Sequence, residues 1–264
     1  MKKISFVCTT FRRFTCVKRI VAQFYAQTYP NKELIIFNTD MEYPYSKNFQ
    51  DDSVIIVNND KDYLTGADYI NRAQICRDAV THATGEYFML ADDDDIYLPW
   101  HMQQAVDRIE EDGTDAWKPQ KSFFATGNRV ELSQNVMEAS IIIKMERIRE
   151  IGFNEGETTG LEGMSWYNVL KQEGHIVEDY AYAVPGYSFN WSDPVDIGGN
   201  KQSSTIGREN NFELHKLETK DYATSPLEKI LETREIYEKY YDFFRKNLHL
   251  FEPILLKKYV TKFI

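Results

Sequence analysis

Tyr87-Phe88-Met89-Leu90-Ala91-Asp92-Asp93-Asp94-Asp95-Ile96-Tyr97-Leu98-Pro99 is the stretch that decides the fold. A short apolar run bounded by polar groups suits a buried strand. Four carboxylates follow it at once, and adjacent carboxylates repel strongly unless water or a cation screens them. A buried strand that ends this way places hard oxygen donors at the rim of a sheet. Such donors suit a Mg²⁺ or Mn²⁺ carrying a substrate phosphate. The plainer alternative is a solvated acidic turn that also caps the next helix.

Upstream of this run, strand and helix alternate. Ile4 to Thr9 reads as a strand, and Val17, Ile20, Val21 and Phe24 recur at helical spacing up to Gln27. Leu34 to Phe37 and Val54 to Val57 read as the next two strands. Thr65 with Asp68 three residues later predicts a helix start, with Tyr69, Ala73, Cys76, Val80 and Ala83 on one face and Gly85 after it. Alternation at this pitch predicts an α/β unit with a mixed, mostly parallel sheet flanked by helices. Ligands bind such sheets beyond the carboxyl ends of the strands. Thr9-Thr10-Phe11-Arg12, Asn38-Thr39-Asp40 and Asp92 to Asp95 are all expected there, which makes that edge the candidate site.

Downstream, Met102, Ala105, Val106 and Ile109 mark a helix. Lys121 to Thr126 and Val136 to Ile143 read as strands, the latter feeding a short helix up to Gly152. Trp166, Val169 and Leu170 mark another helix, and Tyr180 to Trp191 reads as extended. Residues 192–210 lack large apolar groups and read as a loop, either a lid over the site or a plain connection. Ser225-Pro226-Leu227-Glu228 has capping-box spacing and opens a long helix carrying Ile230, Tyr237, Tyr240 or Tyr241, and Phe244. The expected organisation is a catalytic domain over residues 1–215 and a helical extension over 216–264.

The 264 residues carry a net charge of −10, which disfavours a surface built for nonspecific contact with nucleic acid or anionic lipid. The three cysteines, Cys8, Cys16 and Cys76, have no metal-type spacing and point to a reducing, cytoplasmic compartment. The scattered histidines form no zinc motif. Met1 to Cys8 is too short an apolar stretch for a signal peptide, and nothing approaches the roughly 20 apolar residues of a membrane span.

Gln27-Thr28-Tyr29-Pro30-Asn31-Lys32-Glu33-Leu34-Ile35-Ile36 with its polar turn resembles the early part of the family 2 glycosyltransferases. Ala83-Thr84-Gly85-Glu86-Tyr87 leading to the acid run and Ile96-Tyr97-Leu98-Pro99 does so too. Ile151-Gly152-Phe153-Asn154-Glu155, with Leu161-Glu162 and Trp166, is similar to the family's acceptor region. The resemblance spans residues 3–191. It implies a GT-A fold, a nucleotide-diphospho-sugar donor that is often UDP-linked, Mn²⁺ or Mg²⁺, and inverting transfer to an acceptor hydroxyl. Aligned on Tyr97 and Pro99, it implies Asp94 as metal ligand and Asp92 on the metal or donor side. Asp93 then fills the variable position beside the donor, and Asp95 holds the turn. Aligned on Trp166, it implies Glu162 as the base on the acceptor hydroxyl, with Glu155 and Glu157 as fallbacks. Thr9 and Phe11 match residues that frame the nucleobase.

The chain departs from the family pattern in three places. The turn after the second strand reads Asn38-Thr39-Asp40, leaving uracil recognition to Asn38 or Asp40. No Arg-Asn pair stands in register before Gly85, so Arg72 and Arg77 are the candidates for the diphosphate, against a reading as ordinary surface arginines. The histidine late in the domain is missing, with Asn190 and Asp193 as nearby polar residues.

Three acceptor or partner classes remain open in the sequence. One is a glycan or glycolipid. A second is hydroxymethylated phage-type DNA, which requires Lys118, Lys121, Arg129, Lys201, Arg208, Lys257, Lys258 and Lys262 to gather on one face. A third is a non-catalytic module that binds nucleotide sugar or protein. The aromatics Tyr240, Tyr241 and Phe243 need a covering surface, either within the chain or in a homo-oligomer joined through the C-terminal helices.

Overall fold

Ile4, Phe6 and Cys8 point to one face of the first strand and Ser5 and Val7 to the other, as a period of two dictates. Each is buried, because helices cover both faces. The computed structural model describes residues 1–45, 52–126, 129–154, 164–178, 183–190 and 233–264. The strands are β1 (Ile4–Thr10), β2 (Lys32–Asn38), β3 (Val54–Asn58), β4 (Tyr87–Ala91), β5 (Ile96–Tyr97) and β6 (Ala116–Lys118). They continue as β7 (Lys121–Thr126), β8 (Arg129–Gln134), β9 (Ile142–Lys144), β10 (Ile176–Glu178) and β11 (Tyr187–Asn190). The helices are α1 (Phe14–Ala26), α2 (Arg72–Val80), α3 (His101–Asp112), α4 (Met145–Ile151), α5 (Met164–Glu173) and α6 (Thr233–Asn247).

Seven strands form the main sheet in the order β10-β6-β9-β4-β1-β2-β3. β1 runs parallel to both β2 and β4, and β2 to β3, while β9 is antiparallel to β4 and β6. A second sheet, β5-β11-β7-β8, stands beside the acid run. The mixed, mostly parallel sheet with helices on both faces is the expected one.

Val17, Ile20, Val21 and Phe24 of α1 pack with Met102, Ala105, Val106 and Ile109 of α3 on one face of the main sheet. Cys76 and Ala79 of α2, Ile148 of α4, and Trp166 and Leu170 of α5 cover the other. Burying each large side chain of this kind contributes about 1.5–3 kcal/mol. Gly85 lets β4 start hard against β1. A Cβ there would lie 2.6 Å from Ser5 Oγ and 2.7 Å from the Lys3 carbonyl.

Some local expectations change. The helix expected from Thr65 begins at Arg72, because Asn71 and Gln74 form the capping box. Thr65 instead lies in a turn capped by Asp62, whose Oδ1 accepts the backbone N–H of Leu64 and Thr65, each at 2.8 Å. The strand expected over 136–143 is confined to β9, because a 3₁₀ turn over Glu138–Ser140 precedes it. β5, β6, β8 and β10 were not foreseen.

The C-terminal aromatics find their cover within the chain. Tyr237, Tyr240 and Phe244 of α6 are buried against Leu98, Trp100, Phe123 and Val184. Tyr241 and Phe243 of the same helix are half-buried against that cluster. The expected domain boundary at 215/216, the cap at 225–228, Ile230 and the 192–210 loop lie outside the described residues.

Candidate functional site

Register brings the three polar clusters together. Thr10 pairs with Asn38 across β1 and β2, and Cys8 pairs with Ala91 across β1 and β4. The residues after each strand therefore emerge at one edge. Thr10 Oγ1 donates to Asp93 Oδ2 at 2.8 Å, tying the β1 end to the acid run. Thr9 lies half-buried at the same edge, paired with Phe37.

Arginines answer three of the four carboxylates. Arg13 Nη1 donates to Asp93 Oδ1 at 2.8 Å and to Asp94 Oδ2 at 3.0 Å. Arg72, at the start of α2, donates to Asp92 Oδ1. Arg19 Nη2 reaches the Asp94 carbonyl at 3.0 Å. The Asp92 backbone N–H donates to the Tyr97 hydroxyl at 3.0 Å, which fixes the start of the turn.

The four aspartates differ in what surrounds them. Asp92 is partly exposed, while Asp95 is fully buried. Asp95 accepts the Tyr187 hydroxyl on Oδ2 and the Asn190 N–H on Oδ1 at 3.0 Å. Burial pushes its carboxyl well above the usual range, and Asp94 and Asp92 add to that, while the Tyr187 and Asn190 bonds oppose it. Burial likewise raises Asp94 to about 7, with Arg13 opposing and Asp93 and Asp92 adding.

The donor set is hard carboxylate oxygen, the kind that Mg²⁺ and Mn²⁺ take. Among the described residues no three His, Cys, Asp or Glu side chains are arranged to hold a metal. Asp92 and Asp94 stand two residues apart on the turn, and the charge of Asp92 adds to the rise of the Asp94 carboxyl. A six-coordinate Mg²⁺ or Mn²⁺ commonly takes one or two carboxylates and completes its shell with phosphate oxygens and water. Asp94, buried with incomplete charge compensation, is the kind of carboxylate that a nearby cation would keep ionised.

On the β2 side, Asn38 is fully buried. Its amide nitrogen lies within hydrogen-bond distance of the Asp40 carbonyl at 3.1 Å, the Tyr43 carbonyl at 3.2 Å and Asn58 Oδ1 at 2.9 Å. Asn38, expected as a possible contact to the base, thus shapes the turn on which Asp40 sits. Asp40 Oδ2 accepts from Arg12 Nε at 2.7 Å. The Arg12 guanidinium stands 5.0 Å from the centre of the Phe11 ring.

The two candidate arginines of α2 part ways. Arg72 faces the acid run, but Arg77 is turned to the Asp62 and Asp78 carboxylates, with Nε 3.0 Å from Asp78 Oδ1. Arg77 thus locks the loop between β3 and α2 and does not face the acid run. Arg77's pairing holds the Asp62 carboxyl down at about 2, helped by the Thr65 and Leu64 amides. Lys118, one cation of the nucleic-acid reading, is buried with its ammonium on the Asn135 carbonyl. Lys258 of the same set pairs with Asp107 at 2.8 Å. Glu162, Glu155, Glu157, Asp193, Lys201 and Arg208 lie outside the described residues.

Sequence reasoning missed Arg13, Arg19 and Tyr187. The Arg12-Arg13 pair after Thr9-Thr10 was visible, but which arginine turns to which carboxylates depends on the turn. Arg12 has φ 56°, the one positive value among described non-glycine residues. This turn sends consecutive arginines to different clusters, Arg12 to Asp40 and Arg13 to Asp93 and Asp94.

The family model described as glycosyl transferase family 2 matches residues 5–167. Among solved structures, residues 1–349 of S. aureus TarS in complex with UDP-GlcNAc superpose with a TM-score of 0.57 at 15% identity, over 93% of this chain and 74% of that one. The mannosyltransferase PcManGT from Pyrobaculum calidifontis, in complex with GDP-Man and Mn²⁺, gives 0.52 at 13% identity over 89% and 69%. Glucosyl-3-phosphoglycerate synthase from Mycobacterium tuberculosis, in complex with Mn²⁺, UDP and glucosyl-3-phosphoglycerate, gives 0.52 at 13% identity over 83% and 80%. These likenesses show the shared GT-A fold. No curated protein matches the chain at a significant level.

Proposed function

The chain belongs to glycosyl transferase family 2, and we propose that it moves a sugar from a UDP-linked donor to an acceptor hydroxyl, inverting the anomeric centre with the help of Mn²⁺ or Mg²⁺. The observation that carries this reading is the acid run at the β4 end, flanked by Arg13, Arg19 and Arg72 and facing the β1 and β2 ends. A diphosphate leaving group gains charge as its bond to the sugar breaks. A bound divalent ion would supply the neutralising charge. UDP-GlcNAc, GDP-Man and UDP in the complexes of structural relatives favour a nucleotide donor, and Mn²⁺ in two of them favours a metal.

In this reading Asp94 and Asp92 would hold the ion, and Asp93 holds Arg13 and Thr10 in place beside them. Arg72 moves from Asp92 to the diphosphate oxygens as the donor enters, since phosphate and carboxylate suit the same guanidinium fork. Phe11 stacks on the base and Asp40 accepts from it, while Thr9 lines the strand end beneath. Glu162 accepts the proton of the acceptor hydroxyl, worth about 10²–10⁴-fold in rate. The acceptor is proposed to be a cytoplasmic glycan or glycolipid. Among the described residues no helix is long and apolar enough to cross a membrane, and the three cysteines are buried and outside any disulfide.

The test is nucleoside diphosphate release from a panel of donors with Mn²⁺, comparing the parent chain with Asp94→Ala and Glu162→Gln. Both variants are expected to lose about 10²-fold or more. Equal turnover in all three would overturn the residue roles. No turnover and no nucleotide binding with any donor would overturn the reading itself.

A further inference from the structure

Three large aliphatic side chains stand in solvent among lysines after α6. Leu248, Leu250 and Ile254 are 43%, 38% and 68% exposed. The first two flank His249 on a 3₁₀ turn, Leu248–Leu250. An α-helical turn, Pro253–Leu255, then runs on into a π-helical turn, Leu256–Val260. This segment has two faces. Leu256, Tyr259 and Val260 are buried in the cluster around Trp100 and Phe244, with Leu255 and Phe263 packed on it. Ile254, Lys257 and Lys258 are exposed, at the spacing that puts side chains together on one side of a helical turn, and exposed Lys262 follows. Tyr259 fastens the segment to α3, donating its hydroxyl to Asp107 Oδ2 at 2.7 Å. Charge is segregated here as well. Residues 243–264 carry Arg245, Lys246, Lys257, Lys258 and Lys262 against Glu252, in a chain whose net charge is −10. Arg245 pairs with Glu238 and Asp242, and Lys258 with Asp107. Lys246, Lys257 and Lys262 enter no ion pair among the described residues.

We propose that this face docks on an anionic lipid bilayer, with Leu248, Leu250 and Ile254 entering the headgroup layer and Lys246, Lys257 and Lys262 meeting the lipid phosphates. The proposal goes beyond the transferase reading and stands without it, since neither donor nor acceptor takes part. Exposed aliphatics mark a contact surface, and lysines interleaved with them choose its chemistry. Lysine stems lie along apolar surface while their ammonium groups stay with the phosphates. Duplex nucleic acid would satisfy the lysines but leave the aliphatics in water. A second copy docked through the same face would set lysines against lysines. The acidic remainder of the chain is repelled by the same lipid surface, so the bilayer itself would orient the molecule with this face down.

Co-sedimentation of the full chain with lipid vesicles tests this. The parent is expected to bind vesicles of phosphatidylcholine and phosphatidylglycerol, mixed at about two to one, about tenfold or more tightly than phosphatidylcholine alone. Added salt should weaken that binding. Lys257→Glu is expected to weaken it about fivefold or more. Lys61→Glu makes the same change of net charge on the loop between β3 and α2 and should leave binding within about twofold. Ile254→Ser keeps every charge and should also cost about fivefold. Its side chain lies mostly in water, so its melting temperature should match the parent's. Equal losses in Lys257→Glu and Lys61→Glu would overturn the proposal, because net charge alone would then be at work. Unchanged binding in Ile254→Ser, or no vesicle binding by the parent, would overturn it too. So would a dimer in sedimentation velocity that Ile254→Ser dissociates, or tighter binding to duplex DNA than to the mixed vesicles. None of these outcomes touches the transferase reading, which donor turnover in solution decides.

Discussion

Tyr187 on β11 donates its hydroxyl to Asp95, 92 residues earlier in the chain. The second sheet is thereby fastened to the last residue of the acid run, and the Asn190 amide adds a hydrogen bond to the Asp94 carbonyl at 3.1 Å. α6 reinforces the joint from behind. Tyr237 donates to the Tyr97 carbonyl at 2.9 Å, and Tyr240 to Ser188 Oγ at 3.0 Å. The turn carrying Asp92 to Asp94 is thus held from a sheet and a helix that the sequence places far away.

Asp95→Ala is expected to destabilise the protein by about 2–4 kcal/mol, because it leaves the Tyr187 hydroxyl and the Asn190 N–H buried without acceptors. Asp95→Asn should cost less, about 1–2 kcal/mol, since one carbonyl acceptor remains. Urea unfolding of both variants beside Tyr187→Phe measures it. A stability for Asp95→Ala equal to that of the parent would refute the anchoring role.

Gly85→Ala should fail through sterics alone. The added methyl would stand 2.7 Å from the Lys3 carbonyl and 2.8 Å from the Ser5 nitrogen, backbone atoms that cannot rotate away. A cost of about 1–3 kcal/mol is expected. The melting temperature should fall by roughly 2–4 °C for each kcal/mol. Calorimetry reads this directly, and an unchanged melting temperature would contradict the close approach of β1 and β4.

Arg72 and Arg77 should separate cleanly. Arg72→Ala removes the guanidinium from Asp92 and is expected to weaken nucleoside diphosphate binding about 10- to 100-fold, with folding intact. Arg77→Ala removes the partner of Asp62 and Asp78 and should lower the urea midpoint while leaving nucleotide affinity in the folded protein unchanged. Titration and denaturation of the two variants side by side decide it. The reverse pattern would place the wrong arginine at the site.

His101 should make the fold sensitive to acid. Burial among Tyr97, Trp117 and Tyr187 holds its pKa down at about 3, against 6.5 in the open chain. Between those values the unfolded chain binds a proton that the folded protein refuses. His101's contribution to stability is therefore fully present above pH 6.5 and is lost as pH falls from 6.5 toward 3, by up to about 1.4 kcal/mol per pH unit. Urea midpoints from pH 7 to pH 4 should fall less steeply in His101→Phe than in the parent. Parallel slopes would rule His101 out as the cause.

The run of apolar residues before Asp92 determined β4 to the residue, because five consecutive buried side chains ending in carboxylates leave a strand few other boundaries. The same local logic gave α1, α3, α5 and the mostly parallel sheet, since period and polarity are written in neighbouring residues. Local signals misplaced the start of α2. There Thr65 offered a cap as good as Asn71, and only the fit of Asp62 to the turn chose between them. β6 and β10 carry only three residues each, too few to show a period, and β8, Arg129 to Gln134, is mostly polar and exposed or half-buried.

What tertiary structure alone decided is the direction of charge. The sequence determined that four aspartates, a Thr-Thr pair and Asn38 to Asp40 would meet at one sheet edge, because strand order and length put them there. It did not determine that Arg13 would turn to Asp93 and Asp94 while Arg12 turned to Asp40, or that Arg72 and not Arg77 would face the acid run. Arginine side chains are long enough to reach several partners. Which one each takes depends on a backbone dihedral and on the desolvation that the assembled fold imposes on each carboxylate.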